Sequence, residues 1–163
     1  MEREFSAGGV VIHYADERWW VAVIEPRRSN QEKKNSKRVL ALPKGLIDPG
    51  EKPADTAVRE VREETGIHAD LVSKLHDIKY VYVRSWGDKQ RVFKVVSFFL
   101  LRYRSGKIGD ITPEMRVEVE QAEWVPLEEA DKRLSYPGEK QVARLAREYV
   151  ATNPQPIRQD SLS

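Results

Sequence analysis

Apolar positions recur at two spacings along this chain, and the change from one to the other separates its elements. Glu4 to Tyr14 and Arg18 to Glu25 are rich in β-branched and aromatic residues and flank a polar turn ending at Glu17, which predicts a hairpin. Arg27 to Arg38 reads RRSNQEKKNSKR, with six basic residues, one acid and no apolar position, so a loop is expected before a short strand at Val39 to Leu42. Ala54, Ala57, Val58 and Val61 then fall three and four apart. They predict a helix with Pro53 in its first turn and Gly66 at its end. Leu71 to Arg84 and Arg91 to Tyr103 return to strand character, joined through Ser85, Trp86, Gly87 and Asp88, and Ala122 to Val125 adds a short strand. Leu127 to Leu134 and Gly138 to Val150 read as helices, the second through Val142, Leu145, Ala146 and Tyr149. Strands, a central helix, more strands and closing helices predict an α+β fold with helices packed on a mixed sheet.

A length of 163 residues suits one domain, expected over residues 1–150. Residues 151–163, rich in proline and polar side chains without an apolar face, are expected to form a loose tail. No cysteine is present, which removes disulfides, thiolate ligands and a cysteine nucleophile. His13, His68 and His76 show no zinc-ligand spacing. Lysine and arginine number 28 against 26 acids, so the net charge of +2 makes no general case for nucleic acid as a partner. Neither a secretory leader nor a membrane-length apolar run is apparent, and a cytoplasmic protein with no membrane partner is expected. Nothing in the sequence sets an oligomeric state.

The sharpest chemical signal lies on the central helix. Glu60 is three residues before Glu63 and four before Glu64, which puts the three carboxylates on one side. At about 6 Å and an effective dielectric of about 20, each pair would repel by roughly 3 kcal/mol, and the last-turn position of Glu63 and Glu64 also opposes the helix dipole. A solvated charged face is the ordinary reading of such acids. A bound divalent cation is the reading that turns both penalties into attraction.

Around these acids the chain reads GLIDPGEKPADTAVREVREETGI, and this segment resembles the Nudix box. Gly45, Glu51, Arg59, Glu60, Val61, Glu63, Glu64, Gly66 and Ile67 fill every specified position. Chance would produce that pattern in a chain of this length with a probability on the order of 10⁻⁷. The resemblance implies a Nudix α/β/α sandwich with a mixed sheet and helices on both faces. It also implies hydrolysis of a phosphoanhydride, with Glu60, Glu63, Glu64 and the Gly45 carbonyl as metal ligands. Magnesium, or manganese in its place, suits such oxygen donors and a phosphate substrate. Glu64 and Glu60 are thereby expected in catalysis, with Arg59 orienting a carboxylate and Glu51 as a further orienting group or ligand. The general base stays open among Glu64, Glu118, Glu120 and Glu123.

Outside the box, SAGGVVI, LPKGLIDPGE, YVYV, KVVSFFL and EWVPLEEA resemble the diadenosine polyphosphate hydrolase branch of the same superfamily. A small nucleotide or polyphosphate is then the expected partner. Lys44 would contact phosphate, and Lys79, Arg91, Lys94 and the basic loop are further cations for a long anion. Tyr80 and Tyr82, two apart on one strand face, are expected to meet substrate, with Trp86 nearby. Oxidised nucleoside triphosphates, inositol pyrophosphates and a non-catalytic nucleotide-sensing role are the alternatives. LysGlyLeu lacks the order of a phosphate-binding P-loop, and Gly8 and Gly9 are expected to serve close packing in a strand.

Overall fold

Side chains along β1 (Glu2–Ala15) alternate between two buried environments, and that alternation dictates the layering. Val10 and Ile12 enter one apolar cluster while Ala7 and Val11 enter another, so both sheet faces must be covered. The computed structural model, which describes residues 1–30, 32 and 37–153, meets that requirement with helices on each side. After β1 come β2 (Arg18–Pro26), β3 (Lys44–Leu46), α1 (Pro53–Thr65), β4 (His68–Val83), β5 (Arg91–Ser105), β6 (Val119–Pro126), α2 (Leu127–Arg133) and α3 (Pro137–Thr152). Ala57 and Val61 of α1 cover one face. Leu127 and Ala130 of α2, with Val142, Ala143 and Ala146 of α3, cover the other. The α/β/α sandwich expected from the sequence is the fold.

Strand order is β4-β5-β1-β2-β6, with β3 also beside β1. β1 and β5 run parallel and the remaining pairs are antiparallel, so the sheet is mixed as expected. The arrangement of β2 and β3 places the site. β2 pairs with β1 only from Ile12 to Ala15, while Ser6 to Gly8 of β1 pair with Leu46 to Lys44 of β3. Beyond Val21, β2 leaves β1 and continues along β6. The sheet is therefore split, and residues 39–46 thread the opening. Gly8 permits this path, because a Cβ there would collide with the Pro43 carbonyl and the Lys44 side chain. Gly9 likewise has Leu101 and Val61 where a side chain would begin, which agrees with the packing role expected for both glycines.

Two element assignments need correction. Val39 to Leu42 is not a strand; Ala41 alone bridges to Ile24, and the short strand in this region is β3, at Lys44–Leu46. Backbone partners explain the difference. Leu40 N–H donates to the Ser135 hydroxyl and Leu42 N–H to the Glu139 carboxylate, so side chains outside the sheet replace a ladder. β4 also begins earlier than Leu71, at His68, with register shifts that keep its long run paired to β5. The expected helices at Leu127 and Gly138 are present as α2 and α3. Most of the expected loose tail, residues 154–163, lies outside the described residues, and α3 itself extends to Thr152. Among the described residues no helix is long and apolar enough to cross a membrane.

Candidate metal centre and cleft

The inward packing of Ala57 and Val61 fixes the rotation of α1, and rotation decides where its acids go. Glu60 and Glu64, one turn apart, are turned into the structure and are only 8% and 7% exposed. Glu63 lies nearer the surface, with its side chain 32% exposed. Gly45 of β3 meets the Glu60 carboxylate so closely that a Cβ at residue 45 would collide with it. Glu64 Oε1 accepts the Lys44 backbone N–H at 3.0 Å. The acid edge and the threaded segment are thus in direct contact.

Arg59 organises the same acids. Its guanidinium donates to both Glu51 oxygens at 2.9 Å, to Glu60 at 2.9 Å, to Glu63 at 3.2 Å and to the Leu46 carbonyl at 3.1 Å. Hydrogen bonds from Arg59, joined by the Thr56 hydroxyl, hold the Glu51 carboxyl down at about 2. Glu60 goes the other way, raised by burial and by Glu63 against the opposing pull of Arg59. Burial pushes the Glu64 carboxyl up to about 8, with Glu60 adding to the rise and the Lys44 N–H opposing it. The centre therefore holds two buried carboxylates short of positive charge.

Among the described residues no three His, Cys, Asp or Glu side chains converge, as they stand, into a cation cage. Glu60 and Glu63 are instead gathered on Arg59. The donor set nevertheless fits a hard divalent ion: carboxylate oxygens, a nearby backbone segment without a side chain at Gly45, and an excess of buried negative charge that an ion would relieve.

Two recesses meet at Lys44. One, of about 410 Å³, is lined by Gly45, Glu64, Glu118, Lys94, Tyr82 and Trp86 among others. The second, of about 520 Å³, is lined by Ile78, Tyr80, Phe98, Tyr136 and Glu139, and Lys44 borders both. Tyr80 and Tyr82 share a strand face as expected, with ring centroids 6.3 Å apart, yet they open into different recesses. Lys94 is reached from the same face, because its partner in the register is Tyr80. It pairs with Glu4 at 3.0 Å, and Glu4 also accepts the Tyr82 hydroxyl at 3.2 Å.

Not every expected cation arrives at the cleft. Lys79 and Arg91 alternate with Tyr80 and Val92 onto the opposite sheet face. Arg27 pairs with Glu120, and Arg38 with Glu25 and Glu123; residues 31 and 33–36 of the basic loop lie outside the described residues. Of the acids considered outside α1 for proton transfer, Glu118 lines the cleft with Glu64. Two residues of this region carried no signal in the sequence. Glu139 reads there as one more acid near a helix start, and Glu4 as one more charge at a strand end.

A helix-borne set of acids at an opening in an α/β/α sandwich, beside a lysine and aromatic recesses, defines a class of site suited to metal-assisted chemistry on a nucleotide or polyphosphate. The NUDIX domain family matches residues 5–147, and the chain belongs to that family. It is 36% identical over 149 residues to the protein named MutT4 of Mycobacterium tuberculosis, covering 90% of this chain and 56% of that protein. This chain thus spans little more than half the length of that relative. It is 29% identical over 114 residues to the asymmetrical bis(5'-nucleosyl)-tetraphosphatase of Mus musculus, covering 69% of this chain and 72% of that one. In fold it is similar to the Ap4A hydrolase binary complex of C. elegans, with a TM-score of 0.66 and 20% identity over 91% of this chain and 98% of that chain.

Proposed function

We propose that this protein is a magnesium-dependent hydrolase that cleaves a phosphoanhydride of a dinucleoside polyphosphate, such as diadenosine tetraphosphate. The observation that carries this reading is the pair of recesses joined at Lys44, each with aromatic side chains in its lining. A substrate with a flat base at each end and a chain of phosphates between them matches that layout. The likeness to proteins named for Ap4A and bis-nucleosyl tetraphosphate hydrolysis supports the same substrate class.

Glu60, Glu63, Glu64 and the Gly45 carbonyl oxygen would hold magnesium, or manganese in its place. When bound, the ion supplies neutralisation of phosphate charge and acidity for a water. Arg59 orients Glu60 and Glu63 while Glu51 fixes Arg59, so the carboxylates keep their side of α1 when the ion is absent. Lys44 contacts a phosphate oxygen where the recesses meet. Attack by water forms one P–O bond as the anhydride P–O bond breaks, and the proton lost by the water passes to Glu64 or Glu118, both on the wall of the cleft.

A substrate panel with and without magnesium, with the released products identified, tests this reading. Magnesium-dependent asymmetric cleavage of diadenosine tetraphosphate in preference to other substrates is expected. Preference for oxidised deoxynucleoside triphosphates or inositol pyrophosphates would replace the substrate assignment, and absence of turnover across the panel would leave a nucleotide-binding module.

A further inference from the structure

Glu139 lies in the first turn of α3, away from the acid edge of α1, and is only 3% exposed. Both of its oxygens serve one short segment. Oε1 accepts the Leu42 backbone N–H at 2.7 Å, and Oε2 lies 2.8 Å from the Lys44 ammonium. The same ammonium donates to the Leu42 carbonyl at 3.3 Å and stands 5.7 Å from the centre of the Tyr136 ring. At its other end, Lys44 gives its backbone N–H to Glu64. One residue is therefore gripped by both helical layers through the split in the sheet.

A Lys–Glu pair of which the acid is buried and the lysine half-buried is a poor source of stability, because the hydration given up is barely returned by the attraction. Its value is positional. An ammonium on a four-carbon stem is free to rotate, whereas here two of its three N–H groups are directed, at Glu139 and at the Leu42 carbonyl. The remaining N–H is available to a ligand in the recess that Lys44 lines beside Glu139 and Tyr136. We propose that Glu139 is a positioning residue that holds Lys44 where the recesses meet so that its ammonium engages a bridging phosphate. This role rests on the polyphosphate-hydrolase reading above.

The test is a double-mutant cycle of wild type, Glu139→Gln, Lys44→Met and the combined variant. Glutamine keeps an acceptor for Leu42 but turns an amide towards the ammonium. With diadenosine tetraphosphate and magnesium, Glu139→Gln is expected to lower kcat/KM by about 10- to 100-fold in the wild-type background and by less than about 2-fold in the Lys44→Met background. Urea midpoints of all four proteins verify folding. Equal losses in both backgrounds, or no loss in either, overturn the positioning role. If the wild type ignores diadenosine tetraphosphate but cleaves another pyrophosphate, the substrate assignment falls, and the cycle on that compound still decides the role of Glu139. If nothing is cleaved, the cycle is read by calorimetric binding of ADP with magnesium; there an unequal loss supports the role, and no binding by the wild type overturns it.

Discussion

Glu64 carries the conflict on which the site depends. Burial and the neighbouring Glu60 disfavour its charge, so in the metal-free protein this carboxyl opposes the folded state once ionised. Glu64→Gln is therefore expected to match or exceed the metal-free wild type in thermal midpoint while losing the upward shift on adding magnesium, and to lose metal-dependent hydrolysis. Scanning fluorimetry with and without the ion, beside an activity assay, measures both; a full magnesium shift in the variant would remove Glu64 from the ligand set. Gly45 makes a companion prediction. A methyl group there meets the Glu60 carboxylate, whose flexible end can swing aside at little cost to the fold. Gly45→Ala should weaken magnesium binding or activity by about 10-fold or more, with folding stability changed by less than about 1 kcal/mol, as read by calorimetric titration and urea denaturation. Both residues stand out in the sequence because an acid at helical spacing and a glycine at a fixed offset have few other uses in that pattern. Glu139 does not, since its partners lie 97 and 95 residues away along the chain.

At the level of elements, charge joins apolar packing in holding α2 against α3. Asp131 of α2 is 3.2 Å from Arg147 and 3.4 Å from Arg144 of α3. Burial alone would raise its carboxyl, but the two guanidinium groups outweigh that and hold it below the ordinary value of 3.8. A carboxyl with a lowered folded pKa stabilises the protein above its unfolded pKa and loses that contribution as pH falls through the folded value. Asp131→Asn should thus cost about 0.5–1 kcal/mol near neutral pH, modest because both arginines are well exposed, and the gap between variant and wild type should close as pH falls below the ordinary carboxylate range. Urea titrations across that range measure it; a constant gap would assign the cost to packing. The elements themselves were largely legible, because α1 and α3 repeat at helical spacing and β4 and β5 are long β-rich runs. Residues 39–42 depart from the expected strand for a physical reason. Their composition is that of a strand, but only Ala41 pairs with a strand, while the Leu40 and Leu42 N–H groups go to Ser135 and Glu139, which no local pattern announces.

For the whole molecule, the split between β1 and β2 brings Glu64 of α1 and Glu139 of α3 to the same lysine. The two recesses on either side of that lysine give a prediction that belongs to no single element. Trp86→Ala and Tyr136→Ala should each raise KM for diadenosine tetraphosphate by about 5-fold or more, whereas a mononucleotide substrate should respond to only one of them. Steady-state kinetics on both substrates would detect this, and identical responses would mean that one recess alone takes a base. By itself the sequence determined the family, the acid edge of α1 and the sandwich class, because helical spacing and fixed glycine offsets are local properties of a chain. Tertiary structure decided which cations face the cleft, sending Lys94 to it and Lys79 to the opposite face, and it recruited Glu139. Those outcomes depend on strand register and on a broken sheet, and both are settled only when distant segments pack.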